Sequence, residues 1–170
     1  LFSVFIERAF DWCKDFGFNS QVTIQSWLFL SSYENMRKTV LEKRSIFSLV
    51  QIGYNSFPEL NSKVVQCAAM ISSKYNNPNF FGRFINLNSA PQSADKKLVF
   101  DCRDKSIIFD VKQFDLLKIP GNALAYWANK TALNQFSEGE LLNEMADLRS
   151  GISTGDNDIF YREWFEVSCE

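Results

Sequence analysis

No histidine occurs among the 170 residues. This excludes from the chain a histidine general base, a Ser-His-Asp triad and a zinc site built on imidazole. The four cysteines, Cys13, Cys67, Cys102 and Cys169, lie far apart with no C-x-x-C pair. Neither a metal knuckle nor a dithiol motif is present, and each thiol reads as a small apolar side chain. Asn77-Pro78-Asn79-Phe80 reads as an ordinary Asn-Pro turn. Eighteen basic and twenty acidic residues give a formal net charge of -2, which exerts no global pull on nucleic acid or an anionic membrane. Any nucleic-acid contact must be local.

The elements that position these residues can be read from periodicity. With 46% apolar and 15% aromatic residues, the chain has ample material for a core. Phe2, Phe5, Ile6, Ala9, Cys13 and Phe16 follow helical spacing, and Gly17 offers a stop. Residues 21–26 alternate as a strand does. Ser31 and Glu34 have capping-box spacing and predict a second helix to about Lys43. Residues 46–52 form a short run of strand formers ended by Gly53. Helix, strand, helix, strand predicts a crossover unit in a parallel sheet. About eleven residues then lead to a strand candidate at 64–73, too few for another parallel crossover, so a hairpin and an antiparallel strand are expected. Further strands are expected at 82–87 and 107–111, a helix at 122–136 after Pro120-Gly121, and a short helix at 140–146. No stretch approaches ~20 uninterrupted apolar residues, so no membrane span is expected and a reducing, cytoplasmic setting is the default. A chain that opens without Met inside a helical pattern and stops as an aromatic segment begins reads as truncated at both ends.

Two stretches, Ser26-Trp-Leu-Phe-Leu-Ser-Ser-Tyr-Glu-Asn-Met-Arg37 and Phe57-Pro-Glu-Leu-Asn-Ser-Lys-Val-Val-Gln66, resemble downstream motifs of amino-methylating adenine DNA methyltransferases. Lys118-Ile-Pro-Gly-Asn-Ala-Leu-Ala-Tyr-Trp127 and Arg149-Ser-Gly-Ile-Ser-Thr-Gly-Asp-Asn-Asp-Ile-Phe-Tyr-Arg-Glu-Trp164 narrow the resemblance to the adenine-specific methyltransferases of BREX phage-defence systems, the PglX-like family. The resemblance implies an α/β fold: the C-terminal half of a class I, Rossmann-like methyltransferase sheet ending in an antiparallel strand. A linker and the start of a target-recognition region would follow. Residues 1–74 would be the catalytic half, 75–118 a linker or insert, and 119–170 a helical connector leading into target recognition. The implied cofactor is S-adenosylmethionine and the implied partner double-stranded DNA, from which the target adenine is flipped. Other phage-defence subunits are possible partners. The glycine-rich cofactor loop and the catalytic Asn/Asp-Pro-Pro-Tyr motif are not in these 170 residues, so the fragment alone is expected to be inactive.

By the same resemblance Phe57, an aromatic residue before proline, stacks on the flipped adenine; the plainer alternative is a ring plugging a hairpin end. Lys63 is a candidate phosphate or base-pocket contact, or simply a solvated charge. Trp27 falls just beyond a strand's C-terminal end, where open α/β sheets place ligands, and serves equally as a packing residue. Gln25 and Ser26 share that location without an assignable role. Arg149, Thr154, Asp156, Asn157 and Arg162 lead into target recognition, where a turn-rich entry competes with direct base reading. Tyr126-Trp127 reads as helix packing. Two other functions compete with a fragment of a methyltransferase: a fused restriction-modification enzyme and a non-catalytic DNA-recognition module.

Overall fold

The computed structural model describes residues 2–57, 65–91, 93–139 and 142–147, together with Tyr161 and Glu166. Leu1–Gly139 form one compact unit and Glu140–Glu170 a second. Within the first unit, α1 (Phe2–Trp12), β1 (Phe18–Ile24), α2 (Glu34–Lys43), β2 (Ser45–Gly53) and β3 (Cys67–Ser73) follow in the expected order of types. They continue through β4 (Phe81–Asn86), α3 (Lys96–Asp101), β5 (Ile108–Lys112) and α4 (Lys130–Glu138). In the second unit α5 spans Leu142–Met145.

All five strands form one sheet in the order β1-β3-β2-β4-β5. β3 is antiparallel to both β1 and β2, which makes those two parallel to each other, with β3 between them. β4 joins β2 in parallel and β5 closes the far edge antiparallel to β4. The hairpin expected from the short connection is therefore present, but its strand enters the gap between the parallel pair, so β3 does not end the sheet as expected, and the sheet continues through β4 and β5. β4 and β5 lie in residues 75–118 and extend the same sheet. Gly82 permits the close approach of β4 to β2, since a Cβ there would stand 2.3 Å from the Ile46 carbonyl oxygen.

Period-2 alternation sends one set of side chains into a single core. Ile46 and Leu49 of β2, Ala68 and Met70 of β3 and Phe84 of β4 meet Ile6 and Phe10 of α1 and Met36, Val40 and Leu41 of α2. The opposite set includes Phe18, Val22 and Ile24 of β1 and Ile71 of β3, all exposed. On that side Phe47 bridges Phe18 and Phe80, at centroid distances of 4.9 and 4.4 Å.

Several boundaries differ from the periodicity reading. α1 stops at Trp12, and it is Phe16, not Gly17, that takes a positive φ of 61°. Gly17 is needed for proximity instead: its N–H donates to the Lys14 carbonyl at 2.8 Å, leaving no room for a Cβ. The capping box is not made, because Ser31–Tyr33 form a 3-10 turn that runs straight into α2 and no side chain caps that helix. The helix expected from 122 begins only at Lys130, where the Asn129 side chain accepts from the Ala132 N–H at 2.8 Å. Upstream, the Gly121 and Asn122 carbonyls accept from Arg37, and the Leu124 N–H donates to the Leu28 carbonyl. Those backbone groups are committed to tertiary partners and cannot close helical turns.

Candidate nucleic-acid interface

β1, β2 and β4 run in parallel, so the residues that follow each of them gather at one end of the sheet. After β1 comes the 3-10 turn Gln25–Leu28, after β2 the loop carrying Phe57, and after β4 the turn Leu87–Ser89. Ligands of open α/β sheets bind at such an end, outside the strand carboxyl termini. Asn77-Pro78-Asn79-Phe80 instead enters β4 at the other end. There Asn77 makes a turn in which its side-chain oxygen accepts from the Asn79 N–H and its carbonyl from the Phe80 N–H.

The start of the Phe57 loop is pinned by its own polar residues. Gly53 takes φ +73° and Asn55 φ 55°, turning the chain away from β2. The Ser56 hydroxyl donates to the Gly53 carbonyl at 2.6 Å and accepts from the Cys67 N–H at 3.2 Å, tying the loop to the first residue of β3. Asn88, from the turn after β4, fills the space beside Gly53: a Cβ there would lie 2.1 Å from its Oδ1. Phe57 follows Ser56 and is 44% exposed. It lines a groove with Phe2 and Phe5 of α1, Gln21 to Ile24 of β1, and Cys67. The groove is walled by aromatic and aliphatic surface, with the Gln21 amide and Thr23 hydroxyl as its polar points.

Trp27 lies behind this groove and not in it. It is 1% exposed, belongs to the core, and donates its indole N–H to Thr23 Oγ1 at 3.2 Å. Gln25 is buried beside it; its backbone N–H donates to the Gln66 carbonyl at 2.8 Å, and its side-chain amide donates to the Gln66 side chain. Gln21 Oε1 and Gln25 Oε1 are buried acceptors with no partner among the described residues. Lys63, Arg149, Thr154, Asp156, Asn157 and Arg162 lie outside the described residues.

Three residues that organise this end did not stand out in the sequence: Ser56, Gln66 and above all Arg37. The Arg37 side chain is buried, and its guanidinium donates to the carbonyls of Trp27 (2.7 Å), Leu30 (2.6 Å), Gly121 (2.6 Å) and Asn122 (3.0 Å). Burial lowers its pKa from the ordinary arginine value, against the opposing charge of Glu34. The only sequence signal is a lone arginine on the apolar-patterned face of a helix.

S-adenosylmethionine sites use a glycine-rich turn after a strand, so that backbone can approach the cofactor closely. The space beside Gly17, Gly53 and Gly82 is taken by the Lys14 carbonyl, the Asn88 side chain and the Ile46 carbonyl, whereas a Cβ at Gly121 would meet nothing nearer than 3.9 Å. The first three glycines serve the protein's own packing. Among the described residues no cluster of three or more Cys, Asp or Glu is placed to hold a metal, and no helix is long and apolar enough to cross a membrane.

The mixed α/β sheet thus carries a half-exposed aromatic residue, Phe57, on a loop at the end where its parallel strands finish. The chain is similar along nearly its whole length to two proteins named as adenine-specific methyltransferases. It is 34% identical over 173 aligned residues to "Adenine-specific methyltransferase BrxX" of Escherichia coli O9:H4 (strain HS), and 32% identical to "Adenine-specific methyltransferase PglX" of Lacticaseibacillus casei (strain Zhang). The alignments cover 99% and 98% of this chain but only 14% of each relative. No family model matches the chain.

Proposed function

We propose that this chain is the C-terminal half of a class I catalytic domain, and the approach to target recognition, of a cytoplasmic DNA methyltransferase. That enzyme would transfer a methyl group from S-adenosylmethionine to adenine N6 in duplex DNA, in the service of phage defence. The observation that carries the reading is the 34% identity over 99% of the chain to a protein named as an adenine-specific methyltransferase. The end-on position and half-exposed ring of Phe57 support it. In this reading Phe57 stacks on the flipped adenine and replaces the stacking lost on leaving the helix, a contribution of about 1–3 kcal/mol.

The remaining residues take supporting parts. Trp27, bonded to Thr23, stiffens the wall behind the groove. Lys63 neutralises a phosphate near the base. Arg149, Thr154, Asp156, Asn157 and Arg162 lead into the contacts that choose the DNA sequence. S-adenosylmethionine, when bound, supplies the methyl group from other parts of the enzyme, since these 170 residues hold no glycine-rich cofactor loop. Among the described residues the outer edge of β1 has no strand beside it, and with Phe18, Val22 and Ile24 exposed this supports a sheet that continues through further strands. The test is to incubate the polypeptide containing this chain with duplex DNA and S-adenosylmethionine and to identify the product nucleosides by mass spectrometry. N6-methyladenine is expected. Folded, DNA-binding protein that methylates no adenine would favour a recognition module instead.

A further inference from the structure

With its ring 44% exposed, Phe57 is placed by its backbone more than by packing. The residue before it does the fixing. Gly53 and Cys67 face each other across the β2–β3 pair and are the two ends between which the loop is strung. The Ser56 hydroxyl bridges both, donating to the Gly53 carbonyl at 2.6 Å and accepting from the Cys67 N–H at 3.2 Å. A short hydroxyl can donate and accept at once, whereas an alanine side chain can do neither.

The two anchors are themselves held. Gly53 takes φ +73° and lies against Asn88 of the turn after β4, whose Oδ1 is buried with no partner among the described residues. Cys67 is 4% exposed and pairs with Ile24, the last residue of β1. Next to it, the Gln66 carbonyl accepts from the Gln25 N–H at 2.8 Å, which ties the same corner to the turn after β1. The ends of β1, β2 and β4 therefore all bear on the two groups that the Ser56 hydroxyl joins.

We infer that Ser56 is a positioning residue: its hydroxyl holds the backbone of Phe57 where the ring can stack on the extruded adenine. The inference rests on the stacking reading above and deepens it. A ring that receives a base must stand at the right height and tilt before the base arrives, and a displacement of about 1 Å is enough to slow a reaction severely. A ring borne on a loop has that precision only if the loop is fixed from within. Fixing it beforehand also lowers the entropy lost when the base is captured.

The test uses the full methyltransferase polypeptide that contains this chain. Methyl-transfer kinetics on duplex DNA are measured together with fluorescence of 2-aminopurine placed at the target adenine. Ser56→Ala should lower kcat about fivefold, brighten the probe and leave the KM for duplex within about twofold of wild type, while Ser56→Thr, which keeps the hydroxyl, should stay near wild type. In a Phe57→Ala background Ser56→Ala should cost nothing further, because the ring it positions is gone. If Ser56→Ala fails to fold, Ser56→Cys, whose thiol bonds only weakly, takes its place in the same cycle. A Ser56→Ala enzyme as fast as wild type, or one that loses the same fivefold in the Phe57→Ala background, would overturn the positioning role and leave the stacking reading standing. A Phe57→Ala enzyme as fast as wild type would overturn both.

Discussion

Arg37 shows how one buried charge can fasten two segments that are distant in sequence. Four backbone carbonyls accept from its guanidinium, and none belongs to its own helix. Arginine suits the position because its planar fork donates along several directions at once, whereas a lysine offers a single compact head. Removing the side chain strands several buried carbonyls, each costing roughly 1–3 kcal/mol when unsatisfied. Arg37→Met should therefore destabilise the chain by about 3 kcal/mol or more in urea unfolding, and Arg37→Lys should recover only part of that. A loss below about 1 kcal/mol would mean that water or rearrangement satisfies those carbonyls. Trp27 illustrates the reverse case. Its position after a strand made it a candidate for substrate contact, while its burial and its bond to Thr23 make it a packing residue of the wall.

At the scale of elements, the turn after β2 depends on a glycine. Gly53 has φ +73°, a conformation costing a residue with a Cβ roughly 1–2 kcal/mol, and Asn88 already occupies the space a methyl group would need. Gly53→Ala should lower stability by about 2 kcal/mol or more and should loosen the Phe57 loop. Thermal unfolding measures the first effect and hydrogen exchange at Asn55 and Ser56 the second; unchanged exchange would separate the loop from its glycine. The elements themselves were largely legible from pattern. The three strands and two helices before residue 74, and the strands near 82 and 107, follow from apolar spacing and from connection lengths. Two things were not legible. The insertion of β3 between β1 and β2 depends on which long-range pairings form, and periodicity carries no information about neighbours. The late start of α4 depends on Arg37 and Leu28 capturing backbone groups some 85 to 96 residues away in sequence. Around the candidate site, Phe57 is marked in the sequence by its motif, whereas Ser56 and Gln66 act through contacts that spacing does not encode.

At the scale of the molecule, apolar side chains of the sheet lie exposed. Phe18, Val22 and Ile24 of β1 and Ile71 of β3 are exposed on the face away from the core, and among the described residues β1 pairs only with β3, as β5 at the other edge pairs only with β4. Exposed strands of this kind template association with other chains or with further strands of the same chain. Sedimentation of the isolated 170-residue chain should show self-association or poor solubility, reduced by Val22→Lys. A stable monomer at micromolar concentration would argue that β1 is a true edge and that the sheet does not continue. Because the chain spans 14% of the relatives it matches, the enzymatic account concerns a larger polypeptide. Its most direct measurement is made on that polypeptide: fluorescence of 2-aminopurine at the target adenine, alongside methyl-transfer kinetics, for wild type, Phe57→Ala and Phe57→Trp. If the Phe57 ring holds the flipped base, the alanine variant should weaken the extrahelical state by about 1–3 kcal/mol and leave the probe bright, while tryptophan should retain most of the quenching and the rate. Equal methylation and an unchanged signal in a folded Phe57→Ala protein would contradict the account.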